Sequence, residues 1–595
     1  MASGERLTVQ QAFDRAVALH QQGRLGDAEQ LYRAVLQVDA DHMGSLHNLA
    51  SISTQRGQPA AAEALLRQAL ARQPSSTMAL LGLGNAMQAM GRFEEAKACF
   101  ERALAIDPNL PEAEHNCGNA LLSLGRHGEA IARYQRAMAL RPGYAEAHYH
   151  TGYALQAQER HAEAIAWYEK AVTLRPDYAE AYNNLGNALK AVDREAEAVA
   201  RFEQAIGARR DYAEAHINLA GTLLALNRTE AAIQRAQILI GLRPDFVEAH
   251  QTLGRALQAM NRHQEAIAAY RHATVLDPRS FEAHWRGGQA RLALGDFSEG
   301  WRAWEYRLLM PTSKRREFSR PQWLGDTGIA GKRVFLYAEP GEGFGDTIQF
   351  ARYAPLVAQL GATVSLEVQA PLAPLLGRMA GVSRISTAGE PLPDLDLHSP
   401  LMSLPFAFKT TMATIPAAVP YLAPPPEKLD RWGGRLESGR LARIGIAWSG
   451  RPRQGEFRNR PIPLALMASI LETPGVRFVA LQKDLREGDD ALLRSHPHVT
   501  NLGPELEDFT DTAAIIAQLD LVISVDTSVA HLAGALGKPV WILLQYAADW
   551  RWLLDRHDNP WYPSARLFRQ PRPGDWESVM PRVHEALRAT LPGLR

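Results

Sequence analysis

Residues 179–206, AEAYNNLGNALKAVDREAEAVARFEQAI, decide the fold of the N-terminal half, because the pattern they carry returns with a fixed period. Two apolar-periodic helical stretches flank Asp193. Outward from this unit, Pro74, Pro108, Pro142, Pro176, Pro244 and Pro278 recur at 34 residues or twice that, with Arg210 in the skipped register. A second series, Gly84, Gly118, Gly152, Gly186, Gly254 and Gly288, has the same step, with Ala50 and Ala220 in two further registers. Small side chains are demanded there. A third series, Gly23, Gly57, Gly91, Gly125, Asp193, Asn227, Asn261 and Gly295, places residues tolerant of positive φ at the helix end, with Glu159 the exception. Each unit reads as helix, tight turn, helix and a proline that opens the next. Ala96, Ala130, Ala164, Ala198, Ala232 and Ala266 mark each second helix as closely packed.

This is the tetratricopeptide (TPR) pattern, and about nine units cover roughly residues 8–311. Such arrays are α-solenoids that hold protein ligands. Asn48, Asn116, Asn184 and Asn218 share one register of the first helices, and an amide offers both donor and acceptor to an extended peptide. The register resembles the asparagine ladder of O-GlcNAc transferase superhelices, from which Gly82, His150, Thr252 and Arg286 depart. A solvated groove residue is the plainer reading of the same asparagines.

The period ends in DFSEGWRAWEYRLLMPTSKRREFSRPQW, and from Arg333 the pattern becomes strand, glycine-rich turn, helix and strand. A second run of this kind, RIGIAWSG, VRFVALQKD and LDLVISVD, follows a proline-rich linker. The expected fold is therefore an α-solenoid over residues 1–311 followed by a double Rossmann-like α/β region, with lobes at 312–420 and 421–595. A chain of 595 residues exceeds the about 250–300 residues at which a single core stops growing.

Composition narrows the class. Lys plus Arg equals Asp plus Glu at 65 each, which removes the electrostatic footprint of a dedicated nucleic-acid binder. Only Cys99 and Cys117 occur, too few for a disulfide framework, and both read as small core residues. No stretch reaches the about 18 apolar residues of a membrane helix, and the N-terminus lacks a signal-peptide pattern. A cytoplasmic location is expected.

Ligands of open α/β sheets sit beyond the strand carboxyl ends, so the residues there carry the functional reading. The turn EPGEGFGDT brings Gly343 and Gly345 to a helix N-terminus, and Asp346 suits a general base or a helix cap. His398 ends a short strand and is a second candidate base, or a structural histidine. In AWSGRPRQGEFRNRPIPL, Ser449 and Gly450 precede Arg458 and Arg460, a set suited to a phosphate ester, or a solvated basic loop. Gln482 and Lys483 end the next strand. In LVISVDTSVAHLAGALGKPVWILL, Asp526, Thr527, Ser528 and His531 open a small-residue helix that can bind a phosphoryl oxygen. Metal-ligand spacing is absent, so no metal or cofactor is expected beyond a nucleotide-sugar co-substrate.

GEGFGDTIQFARY and VDTSVAHLAGALGKPVWILL together resemble the two lobes of GT-B glycosyltransferases of the heptosyltransferase group. The resemblance implies an inverting, metal-independent transfer, with catalytic Asp346 near the acceptor and Asp526, Thr527, Ser528 and His531 near the donor phosphates. Ser528 stands where that group usually has glycine, and the first lobe is short, which argues against its lipid acceptor. Repeats first and transferase last is similar to TPR-linked bacterial flagellin glycosyltransferases that add nonulosonic acids such as pseudaminic acid. That likeness implies flagellin as the acceptor protein and a CMP-linked donor. A scaffold with an inactive transferase-like half and a lipid or polysaccharide glycosyltransferase are the rival readings.

Overall fold

A computed structural model describes residues 7–313, 316–436, 441–450 and 461–593. Among them, eighteen helices from Val9–Gln21 to Phe297–Trp304 alternate as nine pairs, followed by two parallel sheets. The chain forms two compact units, Met1–Thr222 and Leu223–Arg595, so the division falls inside the repeat region.

Within the first unit the glycine series has a steric cause. A Cβ built on Gly84 would lie 2.5 Å from the Phe100 ring, on Gly118 2.5 Å from Tyr134, and on Gly186 2.5 Å from Phe202. Each glycine thus receives a buried aromatic ring of its paired helix, and close packing follows. We expect Gly186→Ala to cost about 1–3 kcal/mol by overpacking. Gly207→Ala, with nothing near the new methyl, should instead gain about 0.5–1 kcal/mol of helix propensity. Denaturant unfolding of the two variants checks the contrast.

The turn series is fully left-handed. Gly23, Gly57, Gly91 and Gly125 have φ between 69° and 75°, and Asp193 has 58°. Glu159, the exception by sequence, adopts φ 60° as well. The helix-to-helix turn therefore imposes its backbone geometry on a residue that does not favour it.

In the second unit the helix pairs continue through Phe281–Ala293 and Phe297–Trp304. Four parallel strands then form one sheet in the order β3-β2-β1-β4: β1 Arg333–Tyr337, β2 Thr363–Val368, β3 Val382–Thr387 and β4 Leu397–Pro400. Six more form a second sheet in the order β10-β9-β8-β5-β6-β7. These are β5 Ala442–Ala447, β6 Val476–Ala480, β7 Val499–Asn501, β8 Leu521–Val525, β9 Val540–Leu544 and β10 Ala565–Arg569. Strand order reverses at β5, with β6 on one side and β8 on the other, and at β1, between β2 and β4. The crevices beyond these strands are where ligands of such sheets bind.

One hydrophobic core joins the last repeat pair to both lobes. It includes Phe297, Trp301 and Trp304 together with Phe350, Trp550 and Trp561. The Trp301 ring stands edge-on to Trp550 at 5.1 Å, and its Nε1–H donates to the Thr410 carbonyl at 3.1 Å. Among the described residues no helix is long and apolar enough to cross a membrane.

Candidate functional site

A cavity of about 1350 Å3 lies between the two sheets of the second unit. The turn after β1, the turn after β8, Gly450, Arg486, Asp549 and Arg551 line it, together with Trp285, Gln289 and Trp304 of the last repeat pair.

The turn after β1 enters the helix Phe344–Ala351 with Gly343 as the N-cap residue. Asp346 is at the third helical position, where its Oδ2 accepts the Gly343 N–H at 3.1 Å. Its other oxygen takes Nη2 of Arg551 at 2.6 Å. Asp346 is thus both cap and cavity-facing carboxylate. Arg551 is buried, 7% exposed by side chain, and also donates to Asp549 Oδ1 and to Gln349 Oε1, each at 2.8 Å. Burial opposes the charge on this guanidinium, yet the Asp549 and Asp346 carboxylates hold it firmly protonated. One side chain therefore bridges the first-lobe helix and the segment after β9 at the site itself.

Glu342 is a third acid on the same turn. Its Oε2 accepts the Glu339 N–H at 2.6 Å, and its Oε1 accepts the Thr347 hydroxyl at 3.2 Å. Enclosure by protein, then the Glu339 and Asp346 carboxylates, push its carboxyl well above the usual range. The protein environment therefore disfavours the charged form of Glu342. Glu339 is ion-paired to buried Arg307, whose Nη1 also reaches Glu305 at 2.8 Å.

From the second lobe, β8 leads into Asp526 and the helix Ser528–Ala535, capped by Thr527 in extended conformation without a side-chain cap bond. The Thr527 hydroxyl lies 3.1 Å from Ser524 Oγ. A helix that begins at a cavity wall presents N–H groups and the positive end of its dipole to an anion. His531 sits one turn in, with Nδ1 3.0 Å from the Tyr562 hydroxyl and Nε2 3.8 Å from Asp526. Burial, then the Arg551 charge, lower its pKa to about 3, so the ring is neutral and forms wall rather than cationic phosphate ligand. Gly345 is where the lobes meet, since a Cβ there would come 2.6 Å from His531 Cδ2.

The depressed His531 pKa carries a stability consequence. The unfolded ring, with pKa 6.5, binds a proton that the folded ring refuses until about pH 3. His531 stabilisation is present above pH 6.5 and is lost as the pH falls towards 3. His531→Asn, which removes the titrating ring, should show a shallower acid loss of its urea midpoint than wild type.

Six residues expected at the donor side line this cavity: Gly343, Gly345, Asp526, Thr527, Ser528 and His531. Others are placed elsewhere. His398 stacks on Phe318 at 4.0 Å inside the first lobe and is not among the cavity-lining residues, so a base role for it has no geometric support. Gln482 is a brace: its Oε1 accepts the Ser449 N–H at 3.0 Å, and its Nε2 donates to the Asp484 carbonyl at 3.2 Å. Lys483 Nζ lies 3.4 Å from the Glu507 carbonyl, away from the lining. The cation at the cavity edge in this region is Arg486, on the loop after β6. Arg458 and Arg460 lie outside the described residues. Arg551, Arg486, Glu342, Trp285 and Gln289 were not singled out from sequence. Of these, only Glu342 lies within a turn whose glycines drew notice.

In the first unit Asn48, Asn116, Asn184 and Asn218 are half-buried. Three of them tie neighbouring first helices together: Nδ2 of Asn116 donates to Asn85, of Asn184 to the Tyr149 hydroxyl and of Asn218 to Asn183, each at 3.0 Å. Part of their hydrogen-bonding capacity thus serves the array itself.

Similarity to known proteins extends to both the repeats and the α/β region. Tetratricopeptide-repeat profiles match residues 19–75, 53–115, 118–179, 167–200, 191–256 and 252–315. The profile "Glycosyltransferase family 9 (heptosyltransferase)" matches residues 465–570. Protein FlbA of Caulobacter vibrioides is 31% identical over 319 residues, 49% of this chain and 53% of FlbA, so the match spans about half of each. Among solved structures, MamA is 26% identical over 28% of this chain and 97% of its own, with a TM-score of 0.26. A tetratricopeptide repeat protein from Parabacteroides merdae is 15% identical over 42% of this chain and 98% of its own, with a TM-score of 0.35. The repeat and transferase matches, with the two parallel sheets, support a tetratricopeptide-linked glycosyltransferase with a heptosyltransferase-type region.

Proposed function

We propose that this chain transfers a sugar from a nucleotide-sugar to a Ser or Thr hydroxyl of a protein, with inversion at the anomeric carbon. The observation that carries the reading is that the Asp346 carboxylate, from the first lobe, and the N-terminus of Ser528–Ala535, from the second, line one cavity. Asp346 takes the proton of the acceptor hydroxyl as its oxygen attacks the anomeric carbon. The bond from that carbon to the leaving phosphate breaks with its electron pair on oxygen. The Thr527 and Ser528 hydroxyls and the helix N–H groups receive the developing charge, commonly the larger contribution. Arg551 fixes Asp346 through the 2.6 Å ion pair. Residues 1–311 recruit the acceptor, with flagellin as the candidate and a CMP-linked nonulosonic acid as the candidate donor. That assignment is supported by the order of repeats and transferase.

Intact-mass spectrometry of flagellin incubated with the full chain and a CMP-sugar tests this. A sugar-sized increment is expected with wild type. Asp526→Ala should abolish the increment while flagellin co-purification with the full chain persists. Neither CMP affinity nor any increment on flagellin would overturn the reading.

A further inference from the structure

The cavity is larger than one donor requires. Ligand and cofactor sites enclose about 300–1000 Å3, against about 1350 Å3 here. Gly450, Thr527 and Ser528 bound one end, and the last repeat pair bounds another through Trp285, Gln289 and Trp304. The step of four residues puts Trp285 and Gln289 on one face of the helix Phe281–Ala293.

The chemistry of this wall differs from that of the donor end. The Nε1–H groups of Trp285 and Trp304 have no acceptor among the described residues, although both are shielded from water and Trp304 is 5% exposed. A buried donor left unpaired is costly, and such groups in native folds call for an explanation. Among the described residues the nearby cations are spent: Arg307 is held by Glu305 and Glu339, Arg316 by Glu367, and Arg286, over the Trp285 ring at 5.5 Å, is paired with Glu282 at 2.7 Å. A wall of neutral donors and indole faces, whose described cations are all paired, suits amide carbonyls and apolar side chains.

We infer that Trp285, Gln289 and Trp304 form an acceptor subsite that holds an extended polypeptide segment, bringing its Ser or Thr beside Asp346. Backbone carbonyls of the segment accept from the two indoles and from the Gln289 amide. The inference rests on the transfer reaction proposed above and adds what positions its acceptor.

The test uses the full chain, flagellin as the polypeptide probe and CMP as the donor-side probe. Benzoylphenylalanine placed at Gln289 should photo-crosslink to flagellin, with the crosslink mapped to a Ser- or Thr-bearing segment. Trp285→Phe keeps the ring and removes the N–H. It should raise KM for flagellin about tenfold and leave CMP affinity unchanged. Absence of a crosslink from position 289, equal losses of CMP and flagellin affinity in Trp285→Phe, or a crosslink to the donor sugar instead of protein would each overturn the subsite. A mapped crosslink with no sugar transferred by wild type would leave the subsite standing and overturn the reaction alone.

Discussion

Arg551→Ala is expected to destabilise the second unit by about 3–5 kcal/mol and to slow glycosyl transfer about 100-fold wherever folded protein survives. The guanidinium is buried and holds Asp346, Asp549 and Gln349 at 2.6–2.8 Å. Its loss leaves two carboxylates without their shared countercharge and frees the Asp346 side chain to turn. Arg551→Lys keeps the charge but not the planar fork, so it should recover part of the stability and little of the rate. Chemical denaturation reads the first effect. Single-turnover transfer, measured where the variant is still folded, reads the second. Wild-type unfolding together with wild-type turnover in Arg551→Ala would show that the bridge has no such role.

Asp346→Asn should lower kcat by about 10^2 to 10^4-fold, the usual contribution of a positioned base. The amide oxygen can still accept the Gly343 N–H that the carboxylate accepts at 3.1 Å, so the helix start should survive. CMP affinity should change far less than turnover, because on the proposed reading the leaving phosphate is received at the Thr527–Ser528 turn of the other lobe. Glu342→Gln provides the contrast. Enclosure and the Glu339 and Asp346 carboxylates disfavour its charged form, and glutamine places an uncharged side chain of the same shape there. Near-wild-type turnover is expected, and a loss as large as that of Asp346→Asn would move the base to Glu342.

The repeat half was legible because its geometry is local. A 34-residue period records which side chain meets which paired helix, and the Gly186–Phe202 contact spans 16 residues of one unit. Glu159 shows the limit: only its neighbours in the series reveal that a glutamate occupies a left-handed turn. In the α/β half, strand-end turns were legible from glycine and small-residue patterns, which is why the Asp526–His531 stretch could be singled out. Arg551 was not, since its partner Asp346 is 205 residues away and nothing nearby in sequence marks the pair. His398 illustrates the converse: it lies within β4 rather than at its carboxyl end, and Phe318 takes its ring face. The neutral state of His531 likewise depends on burial and on Arg551, which no local pattern records.

Because Phe297, Trp301 and Trp304 are packed into the same core as Phe350 and Trp561, the final helix pair is as much a part of the transferase as its sheets are. A truncation at Pro311 would strip indoles from that core and yield an aggregating catalytic fragment. Blocks of 34 residues taken from before Thr222 lie in the other compact unit. Removing or adding such a block leaves the shared aromatic core of the second unit untouched.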